Sequence, residues 1–116
     1  MRAGGLVLLS GVTGVDSDGA FSSDPATQFH DAFAFLRLHL RAAGLDFANL
    51  AEITTYHAGL REHLPIFASV KDTYVIRPYP AWTAIGVTEL ITPGAILEIR
   101  AVANDLRHRS TDGEGR

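Results

Sequence analysis

The chain contains no cysteine. That single absence excludes disulfides, thiolate nucleophiles and zinc–thiolate sites. It also fits the reducing cytosol, where disulfides are rare, so a cytoplasmic location is expected. Charge of one sign is scarce as well. Ten Lys and Arg stand against thirteen Asp and Glu, a net charge of −3, with no basic run. A nucleic-acid binder would show a basic patch or stripe, so no nucleic-acid partner is expected. Long apolar runs are missing too: Leu6 to Leu9 is far too short to cross a membrane and lacks the flanks of a signal peptide. There is no glycine-rich phosphate loop, no nucleophile elbow, no internal repeat and no linker.

What is present fits one domain. The 116 residues, 47% of them hydrophobic, match the commonest domain size. A chain this short buries a limited share of its surface, which makes oligomerisation a source of further burial. Residues 1–107 read as the domain. Residues 108–116 are rich in glycine and charge without an apolar anchor and read as a disordered tail.

Along the chain, Leu6–Leu9 reads as a buried strand ended by Ser10-Gly11. Asp16-Ser17-Asp18-Gly19 is a turn signal, with a hairpin returning through Ala20-Phe21. Asp24 can cap a helix that Pro25 opens. Phe29, Phe33, Leu36 and Leu40 recur at helical spacing, and Gly44 suits the residue just past the helix end. Ile53 to His57 is β-branched and aromatic, hence a strand. Pro65 is expected to open a second helix with Ile66, Phe67, Val70 and Tyr74 inward, stopping before Pro78. Two strands follow, 81–89 and 95–103, divided by Thr92-Pro93-Gly94. In the last, Ile96, Glu98 and Arg100 share one face and Leu97, Ile99 and Ala101 the other. The order predicts an α+β domain, a mixed β-sheet with two helices packed on one face.

Metal chemistry finds little support. His30, His39, His57, His63 and His108 form no metal-ligand spacing on one face, and Asp16, Asp18 and Gly19 are turn chemistry, not a calcium loop. His57 follows Tyr56 in a strand and is read either as a cleft group or as a satisfied core or interface histidine.

One stretch is more specific: Tyr79-Pro80-Ala81-Trp82-Thr83, then Gly86-Val87-Thr88-Glu89-Leu90, then Leu97-Glu98-Ile99-Arg100. Together with Ser10-Gly11, Ala42-Ala43-Gly44-Leu45, Thr54-Thr55-Tyr56 and Phe67 to Tyr74, it resembles the RidA/YjgF family, also called endoribonuclease L-PSP, over roughly residues 4 to 104. The resemblance implies a YjgF-like, chorismate-mutase-like fold, a homotrimer with a barrel-like centre, and small-molecule clefts between subunits. It implies no cofactor. Carried over residue by residue, the implied pocket uses Ser10, Gly11, Lys71, Trp82 and Ala84, with Glu98 as the catalytic group.

The departures within that pocket matter as much. Active family deaminases place an arginine where Trp82 stands, and it grips the substrate carboxylate through a planar fork that tryptophan cannot imitate. A hydrogen bond to a charged group is worth roughly 1.5–3 kcal/mol, so its loss costs at least about tenfold in affinity. Tryptophan offers an apolar face, one N–H donor and a quadrupole that attracts cations. An aromatic, apolar or cationic ligand is therefore expected in place of a small 2-imino acid; alternatively Trp82 only fills the cleft. Lys71 stands where asparagine is frequent, and is read as a pocket group or as a solvated helix lysine. Ala84 replaces a cysteine, and Gly11 either offers a main-chain N–H to a ligand or allows a tight strand exit. Glu98 is retained; it positions a water at the imine carbon, or pairs with Arg100, or is solvated. Only five residues precede Leu6, so the opening strand of relatives and its pocket tyrosine are expected to be missing. The resulting expectation is a divergent imine or enamine hydrolase, inactive on simple 2-imino acids; the alternative is a non-catalytic binding or regulatory trimer.

Overall fold

The computed structural model describes residues 1–105; the expected tail, 108–116, lies outside the described residues. Five strands, β1 (Arg2–Ala3), β2 (Leu6–Thr13), β3 (Leu50–Ala58), β4 (Ala81–Val87) and β5 (Leu97–Asn104), form one sheet in the order β1-β2-β5-β3-β4. Only β3 and β4 pair in parallel; the other neighbours are antiparallel. Helices α1 (Pro25–Ala42) and α2 (Leu60–Tyr74) cover one face of the sheet. The α+β class and the two-helix, one-face arrangement are therefore as expected.

Helix α1 forms for the local reasons its sequence carries. The Asp24 side chain accepts from the Thr27 main-chain N–H at 3.1 Å, and Pro25 occupies the first turn, where no N–H is needed. At the far end Gly44 takes φ 79°, Leu45 N–H returns to Leu40 O and Gly44 N–H to Arg41 O. That is the Schellman pattern, which satisfies carbonyls the helix itself leaves open. Phe29, Phe33, Leu36 and Leu40 are all fully buried. They meet Val7, Val12, Ile53, Leu97, Ile99 and Ala101 from the sheet, so β5 alternates as its sequence predicts.

Four expectations change. A short opening strand is present: Arg2 and Ala3 pair with Val7 and Leu6 across Gly4-Gly5, both at positive φ (56° and 90°), as a tight hairpin turn requires. Strand β2 does not end at Ser10-Gly11. Between the Leu9–Ala101 and Val12–Ile99 pairs those two residues oppose Arg100 alone, a β-bulge in which Gly11 adopts φ 71°. Helix α2 begins at Leu60, not Pro65, because β3 passes directly into it through Gly59 at φ 84°. Pro65 then sits in the second turn, where it removes the bond that the Arg61 carbonyl would accept. Phe67 and Val70 are buried, whereas Ile66 is exposed beside that stripe.

One buried polar side chain ties the loops to the core. Gln28 on α1 donates from Nε2 to Ser22 O (3.0 Å) and Gly94 O (3.1 Å), and its Oε1 accepts from Ile96 N–H at 2.7 Å. Gly14 lies so close to the Gln28 main chain that a side chain there would overlap it.

Candidate functional site

Residues directly opposite one another in adjacent strands point to the same side of a sheet. Ile53, Thr55 and His57 of β3 are fully buried beneath the helices. Their partners on β4 are Trp82, Ala84 and Gly86. Trp82 and Ala84 therefore lie on the helix side, at the exposed edge of the sheet. Glu98 lies opposite Tyr56 and Thr13, on the uncovered side. Within one chain the two most informative candidates are on opposite faces.

Around Trp82 the structure assembles a compact cluster. The indole Nε1–H donates to Thr55 Oγ1 at 3.0 Å. The Lys71 Nζ sits 4.5 Å from the centre of the indole, a cation–π distance. Phe67 packs beside the ring, with centroids 5.9 Å apart. Lys71 keeps only 14% of its side chain exposed and touches Asp72 Oδ1 at 3.0 Å, while Asp72 is 71% exposed. Lys71 is thus not the solvated helix lysine that its sequence position allows. Trp82, 37% exposed, is anchored on three sides by its own chain.

Behind Trp82 lies His57. Its Nε2 is 2.7 Å from Thr55 Oγ1, and Phe67 meets the imidazole edge-on at 4.7 Å. Tryptophan can only donate, so Thr55 accepts from it, and the Thr55 hydroxyl can then donate to His57 Nε2. That arrangement puts the imidazole proton on Nδ1. His57 Nδ1 and His63 Nδ1 are both buried and have no hydrogen-bond partner among the described residues. Burial, with a smaller contribution from the charge of His63, pushes the His57 pKa from 6.5 down to about 4. His57 is therefore a neutral core histidine at neutral pH, consistent with the satisfied-core reading at Nε2 only.

The uncovered face carries different chemistry. Glu98 is half-buried there and makes no hydrogen bond to another side chain among the described residues. Arg100, on the same face, pairs with Glu52 at 3.5 Å, not with Glu98. Ser10 and Gly11, the bulge residues, are exposed across from Arg100 on the β2 side. Leu6, Leu8, Tyr56, Ile85, Val87 and Val102 give the rest of this face an apolar character without a covering layer among the described residues. Lys71, Trp82 and Ala84 thus share one neighbourhood; Glu98 and the Ser10-Gly11 bulge belong to the other side. Sequence reasoning did not find Thr55 as the hinge of the Trp82–His57 chain. A buried threonine between two aromatic positions carries no motif of its own. Among the described residues no group of three or more metal-ligating side chains is placed to hold an ion, and no helix is long and apolar enough to cross a membrane.

This fold and this arrangement of segments have known counterparts. The chain belongs to the Endoribonuclease L-PSP family, whose profile matches residues 1–105. It is 35% identical over 104 residues to the RutC family protein YjgH of Escherichia coli, covering 89% of this chain and 78% of that one. The solved structure of YjgH superposes with a TM-score of 0.80 at 34% identity, over 89% and 78% of the two chains. A member of the YjgF/YER057c/UK114 family from Mycobacterium tuberculosis gives 0.78 at 28% identity, over 89% and 81%. RidA from an Antarctic Psychrobacter shares the fold at a TM-score of 0.83 and 22% identity, over 90% and 84%.

Proposed function

We propose that this chain forms a homotrimer through its uncovered sheet face, with a small-molecule cleft at each subunit boundary. In that cleft it hydrolyses an imine or enamine other than a simple 2-imino acid. One observation supports this most directly: Glu98 stands in the middle of the apolar, uncovered face, on the opposite side of the sheet from Trp82. A second copy is what could bring Glu98 of one subunit towards the Trp82–Lys71 edge of another. Covering that face would also shield a water held by Glu98 from bulk solvent.

The chemistry asks little of the protein beyond position. The Glu98 carboxylate takes a proton from a bound water as its oxygen adds to the C=N carbon, and the C=N electron pair moves to nitrogen. Glu98 returns that proton to the nitrogen. It then takes the hydroxyl proton as the tetrahedral adduct collapses to the carbonyl and passes it to the departing nitrogen, so the amine leaves and the carboxylate is regenerated. General-base contributions of this kind are typically 10²–10⁴-fold, so Glu98→Gln should cost roughly a hundredfold or more.

Two measurements test the reading. Sedimentation should give a trimer, and a panel of cyclic and aromatic imines should contain a substrate whose turnover falls in Glu98→Gln. A monomer, or equal rates for wild type and variant on every imine, would sink it. On 2-iminobutanoate little acceleration is expected; robust turnover there would overturn the reading of Trp82. A second reading, a non-catalytic binding or regulatory trimer, is favoured by the lack, among the described residues, of any side-chain partner that would fix Glu98 within its own subunit. The nuclease activity that the family name mentions finds no basic surface in a chain of net charge −3.

A further inference from the structure

The face of Trp82 that a cationic ligand would seek is already taken. Lys71 holds its ammonium 4.5 Å over the indole, and the one indole N–H is spent on Thr55. A second cation at this wall would gain little from the ring and would meet Lys71 at close range. The neighbouring groups add no compensating negative charge from within: Phe67 and Thr55 are uncharged, and His57 is buried and neutral. Among the described residues Asp72 is the only acidic side chain paired with Lys71, and it stands mostly in solvent. Exposed ion pairs of that kind contribute little and exchange readily with other partners.

Lys71 itself is different. Its stem is covered, with only 14% of the side chain exposed, so the ammonium is held in place beside the indole and is poised to take up an anion in exchange for Asp72. The part of the indole that the ammonium leaves exposed, in a residue 37% exposed overall, meanwhile presents apolar surface on which a flat ligand body can lie. We infer that the Lys71–Trp82 pair is a binding site for an anion with an aromatic or other flat apolar body, with Lys71 as the charge anchor and Trp82 as the platform. This rests on the cleft reading for its location, but it reverses the charge preference that a tryptophan alone suggests.

The chain's single tryptophan is the reporter for the test. Emission of Trp82 is followed while the full chain is titrated with three probes of like shape: phenylacetate, phenethylamine and 2-phenylethanol. Phenylacetate should bind saturably and at least about tenfold more tightly than either other probe, as expected for one charge-assisted hydrogen bond. Added salt should weaken it. Lys71→Met should abolish that preference, and Lys71→Arg should keep it. Asp72→Asn, at an exposed position, should tighten phenylacetate binding and so reads the same anchor without touching the covered lysine. Tightest binding of phenethylamine, equal binding of all three, no saturable binding, or an unchanged preference in Lys71→Met would each overturn the inference. The reading of the cleft as a hydrolase fails separately. Phenylacetate binding without turnover of any imine leaves the anion site standing, whereas turnover of neutral imines without charge preference does the reverse.

Discussion

Acidification should destabilise this protein through one buried side chain. In the folded chain burial holds the His57 pKa near 4, against 6.5 for the free group, because charging it under α2 would strand a cation away from water, with His63 adding to the cost. The unfolded chain has no such restriction. Between pH 6.5 and 4 the unfolded state therefore binds more protons than the folded one, and stability falls as pH falls through that window. Below about 4 both states are protonated and this contribution stops changing. Between pH 7 and pH 4.5 the difference amounts to roughly 2.5 kcal/mol from this group alone, a sizeable part of a typical domain's total stability. The assay is urea unfolding at pH 7, 6, 5 and 4.5, at fixed protein concentration, for wild type and His57→Phe. The variant keeps an aromatic ring against Phe67 but leaves the Thr55 O–H without an acceptor, although its oxygen still accepts from Trp82, so it starts less stable at pH 7. Its pH dependence should nevertheless be flatter by about 2.5 kcal/mol across the window. Parallel pH profiles for the two proteins would refute the argument, because every other titrating group is common to both.

Further outcomes follow from packing and capping. Gly14→Ala would drive a methyl into the Gln28 main chain and should cost more than about 2 kcal/mol by thermal or urea unfolding. Gln28→Leu strands the Ile96 N–H and two loop carbonyls, so a loss of roughly 2–3 kcal/mol is expected, with faster hydrogen exchange at Ile96. Asp24→Ala removes the cap of α1 and should cost about 1 kcal/mol. Trp82→Arg alone would set a guanidinium beside the Lys71 ammonium. Any gain on 2-iminobutanoate should therefore be larger in the Trp82→Arg, Lys71→Asn double variant than in the single one, and a single variant that performs as well would contradict the charge argument.

How much of this was legible in the sequence depended on whether the deciding physics was local. Helix α1 was, because cap, first-turn proline, apolar stripe and terminal glycine lie within one short stretch and agree. The faces of β5 were too, since alternation within one strand fixes which side chains share a side. Pro65 misled because the preference of proline for a helix start gave way to the turn at Gly59, whose positive φ carries β3 straight into α2 five residues earlier. The opposite placement of Trp82 and Glu98 was not legible at all. It depends on the registers of β4 against β3 and of β3 against β5, and β4 itself has no alternating pattern to show its faces. The Lys71–Trp82 stack needed the same register plus the pitch of α2. The local family motif therefore located the residues but not their mutual geometry.

The bulge at Ser10-Gly11 has a consequence for how this strand tolerates changes in length. Before it, Val7 and Leu9 pair with Ala103 and Ala101; after it, Val12 pairs with Ile99. Odd positions thus face the helices on one side of the bulge and even positions on the other. Removing either Ser10 or Gly11 leaves a single residue opposite Arg100, and every pair on both sides keeps its partner. A one-residue deletion, which in a regular strand would turn half of its side chains inside out, is here an edit confined to two exposed positions. The strand can gain or lose that residue without disturbing the core beneath it, so the lining beside Arg100 is free to change in length as well as in composition.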